Sequence, residues 1–383
     1  MMDSAFFATP RQLQALKSLQ KLLIKEIVRA ERKIRRSKFI LKTLESVAPE
    51  KIAQLNDRIE GYRHVAYIWR CFGDAIAFLF MDKFALKQTF FNTHNSNAKQ
   101  DAGFLADKEG LCGEWMVMEE FLAKGIPALL SDLTNTIRHG DVCVMIGPDP
   151  HLIEVKTGTV DRRGRRQKNS IRQLTTFFKT DEAEGLRGLG KVRRVVHSDR
   201  ESVYLDSLNE CIRIAMKNGA AWRSPENGLY YIAISDGPIG FDEVFAELKL
   251  TRPAVFFLNE FKARRSWSPY YPFTLSICDR EALFRFIWGD ICLVVIYDLD
   301  VLRRLAESEG VKIDFQPPGS ECAFELTRTG DEGRIGLGSL MFSRLAFDFT
   351  SPAWLLREAI GHYDRHKATA NAQDVVVAEL TTL

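Results

Sequence analysis

Two charged residues, Glu154 and Lys156, lie inside the otherwise apolar run 151–157. A buried charge is costly unless it is paired or bound to a metal, so charges in a run with the composition of a core strand indicate a chemical role. The apolar run 141–146 precedes this one and begins with Asp141. A Gly-Pro-Asp-Pro connection joins the two runs, which predicts a β-hairpin.

The pairing of this hairpin decides which side chains meet. If Ile146 pairs with His151, Asp141 lies opposite Lys156 and Glu154 is its diagonal neighbour on the same face. Two carboxylates and an ammonium would then converge. Mg²⁺ takes oxygen ligands and keeps positions for water and phosphate, and a bound metal acidifies its water. The hairpin therefore predicts metal-dependent phosphodiester hydrolysis, with Mg²⁺ as cofactor and Mn²⁺ as a substitute.

The neighbouring segments have α/β character. A helix is predicted over 113–125, strands over 127–131, 141–146 and 151–157, a helix over 169–180 and a strand over 228–235. The hairpin is thus expected between a preceding and a following helix.

This arrangement resembles the PD-(D/E)XK nuclease superfamily, which includes restriction endonucleases and Holliday junction resolvases. Asp141 and Glu154-Val155-Lys156 stand at the motif positions, and Gly140 stands where the family name has proline. The resemblance implies a restriction-endonuclease-like αβββαβ core, with Asp141 and Glu154 as metal ligands and Lys156 as the catalytic lysine. It also implies that Glu114, in the helix before the strands, joins the metal site, and that Gln173, in the helix after them, is a catalytic-site residue.

A basic segment follows the hairpin. Between Lys156 and His197 there are 12 lysines and arginines against four acidic residues. A solvated loop and a loop that binds a polyanion both remain possible. The candidate nucleic-acid-binding residues are Arg162, Arg163, Arg165, Arg166, Lys168 and Arg172.

The N-terminal segment predicts two antiparallel helices. Thr9, Pro10 and Gln12 form a helix start, and apolar residues then recur at spacings of three and four. Pro49 marks the turn, and a second apolar stripe extends to Phe80. The basic face of the first helix is interpreted either as solvated or as an arm that contacts DNA or a partner, including a second copy of the chain.

These patterns predict an α/β protein of three parts: a long helical hairpin over 1–95, the nuclease core over 96–235 and an α/β accessory region over 236–383. No apolar run reaches the roughly 18 residues of a membrane span, and the seven cysteines form no CxxC pair. A cytoplasmic location without membrane contact is therefore expected.

The function expected from the sequence is a Mg²⁺-dependent nuclease, with DNA favoured over RNA as the substrate. Its large flanking regions suggest bacterial restriction or antiphage defence. The alternatives are a nucleic-acid-binding or scaffold protein on a nuclease-like fold, and a ribonuclease that uses the same metal site.

Overall fold

The computed structural model describes residues 8–43, 48–155, 162–235, 241–248, 250–330, 333–369 and 376–381. The architecture is mixed α/β, with an N-terminal helical hairpin and small antiparallel sheets, as the sequence predicts at this level. The chain forms two compact units. The first comprises the described residues up to 195 and the strand Val376–Thr381, and the second the described residues 196–369.

The hairpin consists of α1 (Pro10–Thr43) and α2 (Pro49–Phe80). At the start of α1, the Thr9 hydroxyl accepts a hydrogen bond from the Gln12 backbone N–H. The side-chain amide oxygen Oε1 of Gln12 in turn accepts one from the Thr9 backbone N–H at 2.8 Å. This reciprocal cap satisfies donors that the first turn leaves unpaired. The apolar stripe of α1 is buried, including Leu23 and Ile27. The predicted helical hairpin is therefore confirmed.

The remaining elements of the first unit follow in one run. They are α3 (Lys83–Gln88), α4 (Leu111–Ala123), β1 (Ala128–Leu130), β2 (Val142–Val144), β3 (His151–Ile153), α5 (Arg162–Thr180), β4 (Glu182–Glu184) and β5 (Lys191–Val196). Strands β1, β2 and β3 form an antiparallel sheet in that order. The order α4-β1-β2-β3-α5 follows the first five predicted elements of the core. The predicted fourth strand, 228–235, is the strand Leu229–Ile234, which belongs to the second unit. The strand that follows α5 in the first unit is β4, which lies beside β5 in a separate sheet.

Buried polar groups attach the hairpin to this sheet. The Gln20 amide, fully buried in α1, donates to Ala128 O and accepts from Leu130 N, both at 3.0 Å. It thereby takes the place of a neighbouring strand at the β1 edge. Between the two helices, Arg70 donates to the buried Glu31 carboxylate at 2.9 Å. Breaking a buried ion pair leaves a buried charge without its partner, which is costly. This contact therefore fixes how α1 and α2 pack together.

The second unit contains a four-stranded and a three-stranded sheet. Its first elements are α6 (Leu205–Asn218), β6 (Ala220–Glu226), β7 (Leu229–Ile234), α7 (Phe241–Glu247), β8 (Pro253–Phe257), α8 (Leu258–Ala263), α9 (Phe273–Ser276), α10 (Arg280–Trp288) and β9 (Cys292–Asp298). They are followed by α11 (Leu299–Ser308), β10 (Val311–Phe315), β11 (Cys322–Arg328), β12 (Ile335–Gly338), α12 (Ser339–Phe342), α13 (Arg344–Phe347) and α14 (Pro352–Thr369). The sheets have the orders β6-β7-β9-β8 and β10-β11-β12. The last described strand, β13 (Val376–Thr381), lies beside β5 in the first unit.

No helix among the described residues combines the length and the apolar composition that a bilayer span requires.

Candidate active site

Three carboxylates of the first unit converge on the ammonium of Lys108. The Lys108 Nζ lies 2.7 Å from Glu114 Oε1, 2.7 Å from Asp132 Oδ2 and 3.6 Å from Asp141 Oδ1. The first residue lies in α4, the second follows β1, and the third precedes β2. Acidic groups from three elements therefore meet around one cation.

Helix α4 places Glu114 in its first turn, where the backbone N–H of Glu114 bonds Gly110 O at 3.0 Å. Glu114 is 4% exposed. Burial raises the pKa of its carboxyl group, the Lys108 ammonium lowers it, and the charges of Asp141 and Asp132 raise it. The net direction is upward. Burial, the largest of these causes, therefore favours the protonated form of Glu114 more strongly than the Lys108 ammonium opposes it.

The backbone of α2 positions Asp132. Asp132 lies in the 3₁₀ turn Ser131–Leu133, and its carbonyl oxygen accepts from Arg70 Nε at 2.9 Å. At Gly73, a Cβ atom would lie 1.8 Å from Leu133 O. Because even a methyl group cannot fit there, glycine lets α2 approach the turn that carries Asp132.

The backbone conformation of Gly140 and two hydrogen bonds to the end of β3 position Asp141. Gly140 has φ of 73°, a left-handed conformation closed to proline, and a Cβ there would lie 3.0 Å from Ile153 O. The Asp141 backbone N–H donates to Ile153 O at 2.8 Å, and the Asp141 Oδ2 accepts from Val155 N at 2.9 Å. The conformation at this position therefore explains glycine in place of the proline of the family name.

The observed register differs from the predicted one. Val142 pairs with Ile153 and Val144 with His151, so the strands are shifted by two residues from the pairing of Ile146 with His151. A shift of two keeps each side chain on its predicted face. The pairing ends at Val142 and Ile153, and just beyond it the Asp141 N–H donates to Ile153 O while the Asp141 carboxylate accepts from Val155 N.

The other predicted residues have different positions. Glu154 directly follows β3 and is half-buried, and Gln173 is half-buried in α5. Lys156 and the side chains of Arg162 and Arg163 lie outside what the structure describes. Of the predicted site residues, the ones with described contacts around Lys108 are Glu114 and Asp141.

The basic run is a helix rather than the predicted loop. Helix α5 begins at Arg162, seven residues before the predicted start, because arginine, lysine and glutamine are good helix formers and Gly164 alone does not interrupt them. Leu174 and Phe177 are buried on one side of α5. The exposed cationic side chains of α5 are Lys179 near its end and four in its first three turns, Arg165, Arg166, Lys168 and Arg172. The four residues of the first turns define the α5 cation face.

Sequence reasoning missed Lys108 and Asp132. Both are common residue types in polar surroundings, and 23 residues separate them along the chain. Asp132 did carry a signal, since it directly follows a short apolar strand. Burial lowers the pKa of Lys108, but the contacts with Asp132 and Glu114 outweigh burial, so the net shift is upward and the amine is held charged.

A second polar cluster lies in the other unit. Its members are the buried residues His197, Glu358 and His362, the one group of potential metal ligands among the described residues whose ligand atoms all lie within 4.8 Å of one another. Both Glu358 oxygens accept backbone N–H groups, from Ser198 at 3.0 Å and Asp199 at 3.1 Å. The Arg365 guanidinium lies 3.2 Å from His362 Nδ1 and repels a further cation. We interpret this cluster as structural, because its hydrogen bonds attach residues 197–199 to α14.

The donor set around Lys108 fits Mg²⁺ in its chemistry. All three ligand side chains offer carboxylate oxygens, which hard divalent cations prefer. A metal held by these carboxylates would take the place of the Lys108 ammonium.

Comparison of the chain with protein-family models, curated proteins and solved structures found no match. The geometry of the site and the resemblance of its motif residues are therefore what indicate a function.

Proposed function

We propose that this protein is a Mg²⁺-dependent nuclease on a restriction-endonuclease-like core, with DNA favoured over RNA as the substrate. The convergence of Glu114, Asp132 and Asp141 around Lys108, near the end of β3 that Glu154 directly follows, supports the proposal most directly. Carboxylates gathered from three elements are typical of sites that hold a divalent cation.

In this proposal, Asp141, Glu154 and Glu114 hold the metal, and Asp132 is added to the set. The metal would supply an acidified water and charge stabilisation at the phosphate. The protein residues keep the carboxylates oriented: Val155 N–H holds one oxygen of Asp141, and Arg70 holds the turn of Asp132. The α5 cation face would bind the phosphate backbone without reading its sequence.

A second function is favoured by one observation: the ammonium of Lys108 already occupies the space between the carboxylates. An ammonium at the centre of the site would suit a nucleic-acid-binding or scaffold protein that has no metal. The same site with a metal would equally serve a ribonuclease. All three functions use the basic helix, so the chemistry itself must be tested.

The test is cleavage of supercoiled plasmid, linear duplex, single-stranded DNA and RNA with Mg²⁺, Mn²⁺ or EDTA. We expect cleavage that requires the metal and is lost in Asp141→Asn and Glu114→Gln, because each change removes a ligand charge. Glu120→Gln is the matched control, since Glu120 is exposed on the same helix. Cleavage by Asp141→Asn at the wild-type rate would refute this site, and binding of nucleic acid without cleavage would favour the second function.

The two lysines need separate variants in this assay. Lys156 is the catalytic lysine that the resemblance implies, and Lys108 is the lysine in contact with the carboxylates. A loss of rate in Lys156→Ala without a loss of binding supports the assignment of Lys156.

A further inference from the structure

A cavity of about 420 Å³ adjoins the carboxylate cluster in the first unit. It is open to solvent and lies between α1, the segment before α4 and α4 itself. Its lining residues are Ile24, Leu105, Asp107, Lys108, Leu111, Cys112 and Trp115, and Asp107 pairs with Arg35 of α1. Lys108 belongs both to this wall and to the cluster. A ligand in the cavity would therefore lie directly beside the proposed metal site. We name it the Trp115 cavity.

The Trp115 ring is an oriented, half-buried wall of the cavity. It lies one turn from Glu119 on α4, whose carboxylate pairs with Lys17 at 2.6 Å, and Trp115 helps to lower the pKa of that carboxyl group after the larger effect of Lys17. The Lys21 ammonium lies over the ring, 5.7 Å from its centroid. An aromatic face held in place next to a cation is a stacking platform for a planar group.

The charge around the cavity indicates which planar group it takes. Exposed cations follow the solvent side of α1 next to Ile24, at positions within about 60° of one another on the helix. They are Lys21, Lys25, Arg32 and Arg36. This stripe extends over about 22 Å along the helix axis, at 1.5 Å per residue, enough for several phosphates. An apolar aromatic cavity beside such a stripe is complementary to a base with its attached backbone.

We propose that the Trp115 cavity binds an unpaired nucleobase stacked on Trp115, so that the substrate is single-stranded or contains unpaired nucleotides. A paired base in a duplex could not enter without being extruded from its stack. The inference rests on the proposed nuclease function for its biological meaning, but base binding can be measured without any cleavage. It would place the backbone of the bound nucleotide next to Glu114 and Asp132.

The test is fluorescence anisotropy with end-labelled oligo-dT, oligo-U and a duplex of equal length, in EDTA, with the full chain. Because one stacked base contributes roughly 1–3 kcal/mol, Trp115→Ala should raise the dissociation constant for the single strands at least about fivefold. The duplex constant should stay within about twofold, and Trp115→Phe should lose less than Trp115→Ala because it keeps an aromatic face. Trp288→Ala is the control, since Trp288 is 73% exposed and lies in the other unit.

Unchanged single-strand binding in Trp115→Ala would overturn the inference, as would an equal loss for single strands and duplex or an equal loss in Trp288→Ala. A comparison of oligo-dU with oligo-U, which differ only in the 2′-hydroxyl group, shows which sugar the site prefers. If the wild type binds through Trp115 but cleaves nothing with Mg²⁺, the nuclease proposal fails and the base site stands. If the wild type cleaves with Mg²⁺ but Trp115→Ala binds single strands normally, the inferred base site is refuted and the nuclease proposal is not.

Discussion

Replacing Lys108 by methionine tests whether the carboxylate cluster is a cation site. The change removes an ammonium that contacts three carboxylates whose side chains are 5–22% exposed, while Lys108 itself is 26% exposed. Breaking a buried pair costs about 3–5 kcal/mol, and breaking an exposed one at most about 1 kcal/mol. The partial exposure of Lys108 puts the expected loss between these limits, at about 2 kcal/mol. For a unit of this size, that lowers the melting temperature by about 4–8 °C.

The loss should depend on pH. The pKa of Lys108 is higher in the folded state than in the unfolded state, so its contribution to stability is complete below the ordinary lysine pKa. That contribution is lost only as the pH rises through the pKa of the folded state, so the wild type retains it at neutral pH. In Lys108→Met, the pKa of Glu114, already raised by burial, rises further. The folded state then binds a proton more readily than the unfolded state. The deficit should therefore be largest near pH 8 and narrow toward pH 5.

Added metal should replace the missing charge. A ligand present at 100 times its dissociation constant stabilises the folded state by about 2.7 kcal/mol, so Mg²⁺ should raise the melting temperature of Lys108→Met substantially. The wild type should gain less, because its ammonium must first leave. Calorimetry with and without Mg²⁺ at pH 5 and pH 8 measures both effects.

The control for this experiment is Lys17→Met, which breaks the Lys17–Glu119 pair at the surface. It should cost at most about 1 kcal/mol and show no response to metal. If Lys108→Met melts at the wild-type temperature at pH 8 and Mg²⁺ does not stabilise it, the carboxylates around Lys108 do not form a charged cation site.

Three more predictions address the supports of the site and the basic helix. Gly73→Ala should lower the free energy of unfolding by about 1–3 kcal/mol or more, because the added methyl group clashes with Leu133 O. Gly61→Ala, which has open space around it, should raise the free energy of unfolding by about 0.5–1 kcal/mol. Equal effects of the two changes in chemical denaturation would contradict the close approach of α2 to Leu133. Burial raises the pKa of Asp74 to about 6, so wild-type stability should fall as pH rises from about 4 to 6, and Asp74→Asn should flatten that fall; an unchanged pH profile would show that Asp74 does not titrate there. Neutralising the α5 cation face should reduce the salt dependence of DNA binding by up to about 0.9 per lost phosphate contact, and an unchanged slope would make these side chains merely solvated.

Local signals in the sequence were sufficient for most elements of the first unit. The cap of α1 needs only Thr9 and Gln12, which are three residues apart, and both helices of the hairpin follow from apolar spacing. Helix α4 and strands β1 to β3 lie where alternating apolar residues and Gly-Pro turns predict them. Such signals work because each depends on neighbours a few residues away.

The predicted register of the β2–β3 hairpin was wrong because contacts from elsewhere in the chain hold the segment that connects the two strands. The strands end at Val144 and begin again at His151, so the connection is longer than the Gly-Pro-Asp-Pro segment alone. Asp82 N–H donates to Pro148 O at 2.8 Å, and Arg194 pairs with the Asp149 carboxylate. These contacts join α3 and β5 to the turn, and nothing in the hairpin sequence reveals them.

The sequence by itself determined which acidic residues could form a site: Asp141 and Glu154 beside adjacent strands, with Glu114 on the helix before them. Only the tertiary structure showed that Asp132 joins Glu114 and Asp141, and that Lys108 lies between them. The reason is physical. Asp132 reaches the site because Gly73 admits the backbone of its turn and Arg70 holds that turn, and both residues lie about 60 positions earlier in the chain. Periodicity reports which face a residue is on, whereas the packing of distant segments decides which faces meet.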